Sequence, residues 1–128
     1  MIVVDCAAVI DALTAVEGTD DLRDLLAGEE LCAPTLLDFD VVSALRGMTL
    51  RGDLPVSRAE DTLTDFEDLT ILRWWSHDNL RRRAFQLRDV SACDAAYVVL
   101  AEALDCPLVT RDLRLAKASD HLITVDVR

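Results

Sequence analysis

Five short apolar runs, Ile2–Val4, Leu31–Ala33, Thr70–Leu72, Pro107–Thr110 and Leu122–Val125, alternate along the chain with segments whose apolar residues recur every three or four positions. That alternation leaves few folds open. Strands of three or four residues separated by helices cannot form hairpins, so they must pair through helical crossovers into a parallel sheet. The α/β class follows. With 128 residues the chain is expected to form one domain, residues 1–128, with one core.

The segments between the strands read as helices. Residues 6–16 place Val9, Ile10, Leu13 and Val16 on one face and close at Gly18. Residues 19–27 open on Thr19 as a cap and stop at Gly28. Over 35–50, Leu37, Val41, Ala44, Leu45 and Met48 share one stripe and Asp40, Ser43 and Gly47 another, before Gly52 and Pro55 end the helix. Ser57 followed by Glu60 predicts a capping box for 57–67. Residues 78–88, 92–104 and 112–118 complete the set, and the last strand, 122–125, is expected at a sheet edge.

Composition narrows the chemistry. Half of the residues are hydrophobic (52%), enough for a core without staples. Acids interrupt every apolar stretch before it reaches the length of a membrane span, and no basic segment precedes Ile2–Val4, so a cytoplasmic protein is expected. The four cysteines, at 6, 32, 93 and 106, lack zinc-ligand spacing and read as reduced, mostly buried thiols. His77 and His121 stand apart from each other and from any nucleophile, and are expected at the surface.

The net charge of −11 repels polyanions and favours metal cations or basic partners. Screening over about 8 Å still lets a local arginine patch act by itself. Arg81, Arg82 and Arg83, with Arg88 nearby, form such a run, although a solvated helix face explains it equally well.

Ligands of an open parallel sheet bind beyond the carboxyl ends of its strands. Ile2–Val4 runs into Asp5 and the 108–110 run into Asp112, so both carboxylates belong at that rim, and Asp94 opens the 92–104 helix. Helix capping, worth about 0.3–1 kcal/mol, accounts for each of these three taken singly. It does not account for Asp40, which falls inside an apolar helix where an acid gains little from the dipole. Four acids at one rim would repel and raise one another's pKa unless a cation neutralised them. Oxygen-only donors select a hard ion, Mg2+ or Mn2+, and such an ion serves phosphodiester hydrolysis.

Three stretches together, Ile2-Val3-Val4-Asp5, APTLLDFDVVSALR from Ala33 to Arg46, and VSACDAAYVVLAEALDCPLVTRDLRLAKA from Val90 to Ala118, resemble PIN-domain ribonucleases of the VapC toxin type, in the expected order over nearly the whole chain. The resemblance implies a three-layer α/β/α sandwich with a parallel sheet of four or five strands. It also implies that Asp5, Asp40, Asp94 and Asp112 hold Mg2+ or Mn2+, with Thr110 supporting the site. The implied function is a metal-dependent endoribonuclease, the toxin of a toxin–antitoxin pair, that hydrolyses RNA with a metal-activated water. A cognate antitoxin and a homodimer are the implied partners, and Arg46 and Arg81 to Arg83 are candidates for RNA or antitoxin contacts. The chain departs from the family at two positions, with Asp40 where Glu is usual and Cys6 where Ser or Thr is common. Those departures define the alternative: a catalytically weakened PIN-like protein that binds a partner or RNA. Asp38 competes with Asp40, but at 100° per residue it turns about 200° away, so both cannot face one site.

A phosphoacceptor receiver needs a lysine beside its acids, and Lys117 falls inside a helical run. A haloacid-dehalogenase-like phosphatase needs an aspartate two residues after Asp5, where Ala7 stands.

Overall fold

All strands run parallel, because each return from one strand to the next is made by helices. The computed structural model describes residues 1–128. In chain order the elements are β1 (Ile2–Val4), α1 (Cys6–Leu13), α2 (Asp20–Gly28), β2 (Leu31–Pro34), α3 (Leu37–Leu50), α4 (Val56–Asp68), β3 (Ile71–Trp74), α5 (Asp78–Gln86), α6 (Ala92–Leu104), β4 (Leu108–Thr110), α7 (Leu113–Ser119) and β5 (Val125–Val127). The sheet order is β3-β2-β1-β4-β5. Helices α1, α3 and α4 pack together on one face, while α5 and α6 pack together on the other, with α6 lying across β1, β2 and β4. This is the expected three-layer α/β/α sandwich. Val3, Val4, Cys32, Ala33, Leu108 and Val109 are wholly buried, as a sheet covered on both faces requires.

Register sets the rim. Val3 pairs with Leu108 and Val4 with Val109, so Asp5 follows β1 level with Thr110, and its amide donates to the Val109 carbonyl at 3.3 Å. The chain leaves β1 toward β2 on one side and finds β4 on the other. The β1/β4 junction is therefore the point where strand order reverses, the place beyond which ligands of open parallel sheets bind.

Several local expectations need correction. Helix α1 ends at Leu13, three residues early: the Thr14 hydroxyl donates to the Ile10 carbonyl at 2.7 Å, and Ala15 takes a left-handed φ of 52°, which leaves Val16 exposed. Helix α3 starts at Leu37 rather than Thr35, which brings Asp40 into its first turn. The Thr19 hydroxyl donates back to the Val16 carbonyl at 2.6 Å and does not cap α2. The Ser57–Glu60 capping box does not form, since α4 opens one residue earlier with Pro55 at the cap position. The last strand is displaced from 122–125 to Val125–Val127, at the sheet edge. Leu122 and Ile123 donate their amides to the Ser119 carbonyl, closing a turn, and pack half-buried against the core instead of joining the ladder. Among the cysteines Cys93 is exposed, and all four are free thiols; both histidines are at the surface. No helix is long and apolar enough to cross a membrane.

Helix α6 has the side-chain cap that α4 lacks: Ser91 Oγ accepts the Asp94 amide at 3.1 Å. Ser91→Ala should cost about 1 kcal/mol in chemical denaturation, whereas Ser57→Ala should change stability by less than about 0.5 kcal/mol. Equal losses would show that the two helix starts are mis-assigned.

Candidate active site

Because the strands are parallel and the helices return against them, the N-termini of α1, α3, α6 and α7 all point to the carboxyl edge of the sheet, and each carries one of the four expected aspartates. Asp5 is the N-cap of α1 and accepts the Ala8 amide at 2.9 Å through Oδ1. Its Oδ2 accepts the Thr110 hydroxyl. Thr110 Oγ1 in turn accepts the Asp112 amide at 2.9 Å, so one buried hydroxyl ties β1 and β4 to the start of α7. Asp112 caps α7 through Oδ1, taking the Arg114 amide at 2.9 Å and the Leu115 amide at 3.2 Å.

Asp94 is not the cap of α6. Ser91 fills that role, and the Asp94 carboxylate makes no hydrogen bond within its own helix. Its side chain is 32% exposed and faces Arg114 at 4.0 Å, while Asp112, 35% exposed, faces the same guanidinium at 3.8 Å. Asp40 stands on the other flank, where its Oδ2 accepts the Tyr97 hydroxyl at 2.6 Å. Asp38 turns away, as the helical geometry predicts, and takes Arg73 Nη2 at 2.8 Å.

The electrostatics show which groups are neighbours. Asp5 is 5% exposed, and burial, the leading cause, pushes its pKa up to about 6. The hydrogen bonds from Thr110 and Ala8 resist that shift, while the charges of Asp112 and Asp94 add to it. The Cys6 thiol is pushed up to about 12, by burial first and then by Asp40 and Asp5, so it stays neutral and serves as packing. Burial and the Asp40 carboxylate likewise raise the Tyr97 phenol, which remains a donor.

The Asp40 charge thus acts on Cys6 and Tyr97, while Asp5, Asp94 and Asp112 form one electrostatic group. They are neighbours rather than a closed cage, for no three His, Cys, Asp or Glu side chains converge tightly enough to hold an ion as they stand. Their chemistry fits a hard cation: all donors are carboxylate oxygens, and the nearest counter-charge, Arg114, is 85% exposed and not in hydrogen-bonding contact.

Tyr97 and Arg114 were not singled out from sequence. Tyr97, the only tyrosine, is a hydroxyl in an otherwise aliphatic run three residues after Asp94. Arg114 is a cation in the first turn of a helix, where the dipole disfavours it. The arginine run does not act as a unit. Arg83 is held by Glu102 through Nε at 2.8 Å and Nη2 at 3.1 Å, and Arg81 pairs with Asp78 and donates to the Ser76 carbonyl. Arg82 and Arg46 project into solvent without an ion pair.

Known proteins resemble this chain in sequence and in fold. The family profile described as PIN domain matches residues 2–120. Ribonuclease VapC1 of Mycobacterium tuberculosis (strain ATCC 25618 / H37Rv) is 43% identical over 119 residues, which span 91% of this chain and 89% of the relative. Ribonuclease VapC9 of the same strain is 40% identical over 117 residues, again 91% and 89%. Among solved structures, PAE2754 from Pyrobaculum aerophilum superposes with a TM-score of 0.73 at 24% identity, covering 98% of this chain and 83% of that one. VapBC2 from Rickettsia felis, bound to a DNA fragment from its promoter, gives 0.67 at 12% identity, covering 99% and 98%. At those identities the two structures establish a common fold.

The raised Asp5 pKa sets a pH dependence. In the unfolded chain this acid ionises near its ordinary 3.8, and in the folded chain near 6. Between those values the folded state holds more protons, so stability falls as pH rises from about 4 to about 6 and then levels, by on the order of 3 kcal/mol. Melting curves of the metal-free protein should show this loss relative to Asp5→Asn, which should lack it. Parallel curves for the two proteins would refute the burial account.

Proposed function

This chain belongs to the PIN-domain family, and on that premise we propose that it is an endoribonuclease of the VapC toxin type, acting as one domain over residues 1–128. The observation that carries the proposal is the group of Asp5, Asp94 and Asp112 at the β1/β4 junction, with Asp5 buried and only the exposed Arg114 facing the other two at 3.8 to 4.0 Å. The 40–43% identity to VapC ribonucleases over nine-tenths of the chain supports the same reading.

Asp5, Asp94 and Asp112, with Asp40 at the flank, would hold Mg2+ or Mn2+. When bound, such an ion supplies Lewis acidity to a phosphodiester and activates water for hydrolysis. The chain's own residues prepare the place. Thr110 and the Ala8 amide hold the Asp5 carboxylate in one orientation. Asp112 is fixed through its capping oxygen, so its Oδ2 faces the rim. Arg114 stands at the mouth, where it offsets part of the acid charge and can meet an incoming phosphate. RNA approaching a chain of net charge −11 depends on that cancellation and on the unpaired Arg46 and Arg82.

A cognate antitoxin, pairing of two copies and a cytoplasmic location belong to the same proposal. A groove of about 410 Å³ lined by Pro34, Leu36, Trp74, Trp75 and Phe85, with Trp75 and Phe85 open to solvent, suits a protein partner.

Purified protein should cleave RNA in Mg2+ or Mn2+ and stop on chelation. Asp94→Asn should reduce the rate by at least about a hundredfold with circular dichroism unchanged, because the amide keeps the shape and loses the charge. Asp38→Asn, whose carboxylate serves Arg73, should retain most activity. An active Asp94→Asn protein would sink the assignment, and an inactive, metal-indifferent parent would favour the binding-module alternative.

A further inference from the structure

We infer that Tyr97 is a positioning residue for Asp40, its hydroxyl holding that carboxylate in the one orientation that leaves its second oxygen free for the site. The inference rests on the nuclease reading above and deepens it.

Tyr97 is 2% exposed, and its neighbours along α6, Val98, Val99 and Leu100, are buried aliphatics. In such surroundings phenylalanine would fill the same volume without a hydroxyl to satisfy, and an unpaired buried hydroxyl is unfavourable. The hydroxyl makes one hydrogen bond, to Asp40 Oδ2 at 2.6 Å, reaching from α6 to α3 across 57 positions of sequence. Asp40 Oδ1 accepts no hydrogen bond from the protein, and the charges of Asp40 and Asp5 both act on the Cys6 thiol next in sequence to Asp5.

An aspartate on a helix can occupy more than one staggered rotamer, and a charge-assisted bond from a side chain locked in the core selects among them. Asp94 and Tyr97 lie three apart on α6, so one helix supplies a site carboxylate and the anchor of another. The short arm of Asp40 reaches the phenol through one carboxylate oxygen and leaves the other without a protein donor. Groups that orient a metal ligand commonly govern affinity by 10- to 100-fold.

Mn2+ binding, followed by the electron paramagnetic resonance of the free ion, tests this without any turnover. Tyr97→Phe should fold and bind Mn2+ about tenfold more weakly. Asp40→Asn should also weaken binding, and the double variant should be no weaker than Asp40→Asn alone, because Tyr97 acts only through Asp40. Unchanged affinity in Tyr97→Phe, or losses that add in the double variant, would overturn the inference. Since Tyr97 is the only tyrosine, a single 13C-labelled tyrosine resonance gives a second measurement in the unsubstituted chain. It should shift on saturation with Mg2+, and the shift should largely vanish in Asp40→Asn. A resonance that Mg2+ leaves unmoved would overturn the inference even if Tyr97→Phe failed to fold. A parent chain that binds no Mn2+ overturns the nuclease reading and this one with it; a parent that binds, with Tyr97→Phe equal to it, overturns this one alone.

Discussion

Burying one carboxylate at the middle of a parallel sheet is the constraint on which the rest of the site depends. Asp5 lies between β1 and β4, where water is excluded, and its charge is tolerated only because the Ala8 amide and the Thr110 hydroxyl donate to it. Those donors exist only if β1 and β4 pair in their observed register, with Val4 opposite Val109. A slip of one residue would turn Thr110 to the other face of the sheet and leave the carboxylate unsatisfied. The same Thr110 oxygen takes the Asp112 amide, so the satisfaction of Asp5 and the start of α7 are settled together.

Around that point the fold collects negative charge and offers backbone in return. Four helix N-termini converge on the rim, and each tolerates an acid at modest cost. Their dipoles offset part of the repulsion among these acids; the Asp5 pKa is raised first by burial, to which the charges of Asp112 and Asp94 add. Elsewhere arginines are spent on structure: Arg73 on Asp38, Arg83 on Glu102, Arg111 on Asp11 at 2.8 Å. The acids of the rim have only the loosely placed Arg114. A surface divided in this way leaves the rim as the place where a hard cation gains most, and it breaks the apparent basic patch of α5 into paired and unpaired members.

The first four strands, the parallel class and the place of Asp5 and Asp112 at the rim were legible because each rests on local signals: β-branched runs, three-and-four spacing, and aspartate at a strand end. Boundaries were less so. The Val16 position fits the apolar stripe of α1, yet Thr14 and Ala15 end the helix before it. Leu122 and Ile123 look like a strand because burial and β-branching are shared by strands and by turns packed on a core. Asp94 resembled a cap because an acid at a helix start usually is one; the hydroxyl of Ser91 had already taken the role.

By itself, then, the sequence determined the α/β class, the order of elements and the arrival of Asp5 and Asp112 at the carboxyl edge of the sheet, since these follow from periodicity and chain direction, whereas the place of Asp40 in a first turn followed from the later start of α3. Tertiary structure alone decided how those acids are held. The Asp5–Thr110 bond joins residues 105 positions apart and the Asp40–Tyr97 bond residues 57 apart. No local pattern encodes such pairs, because they exist only after strands have found their register and helices their packing. Burial, which moves the Asp5 pKa, is likewise a property of the assembled layers and not of any segment within them.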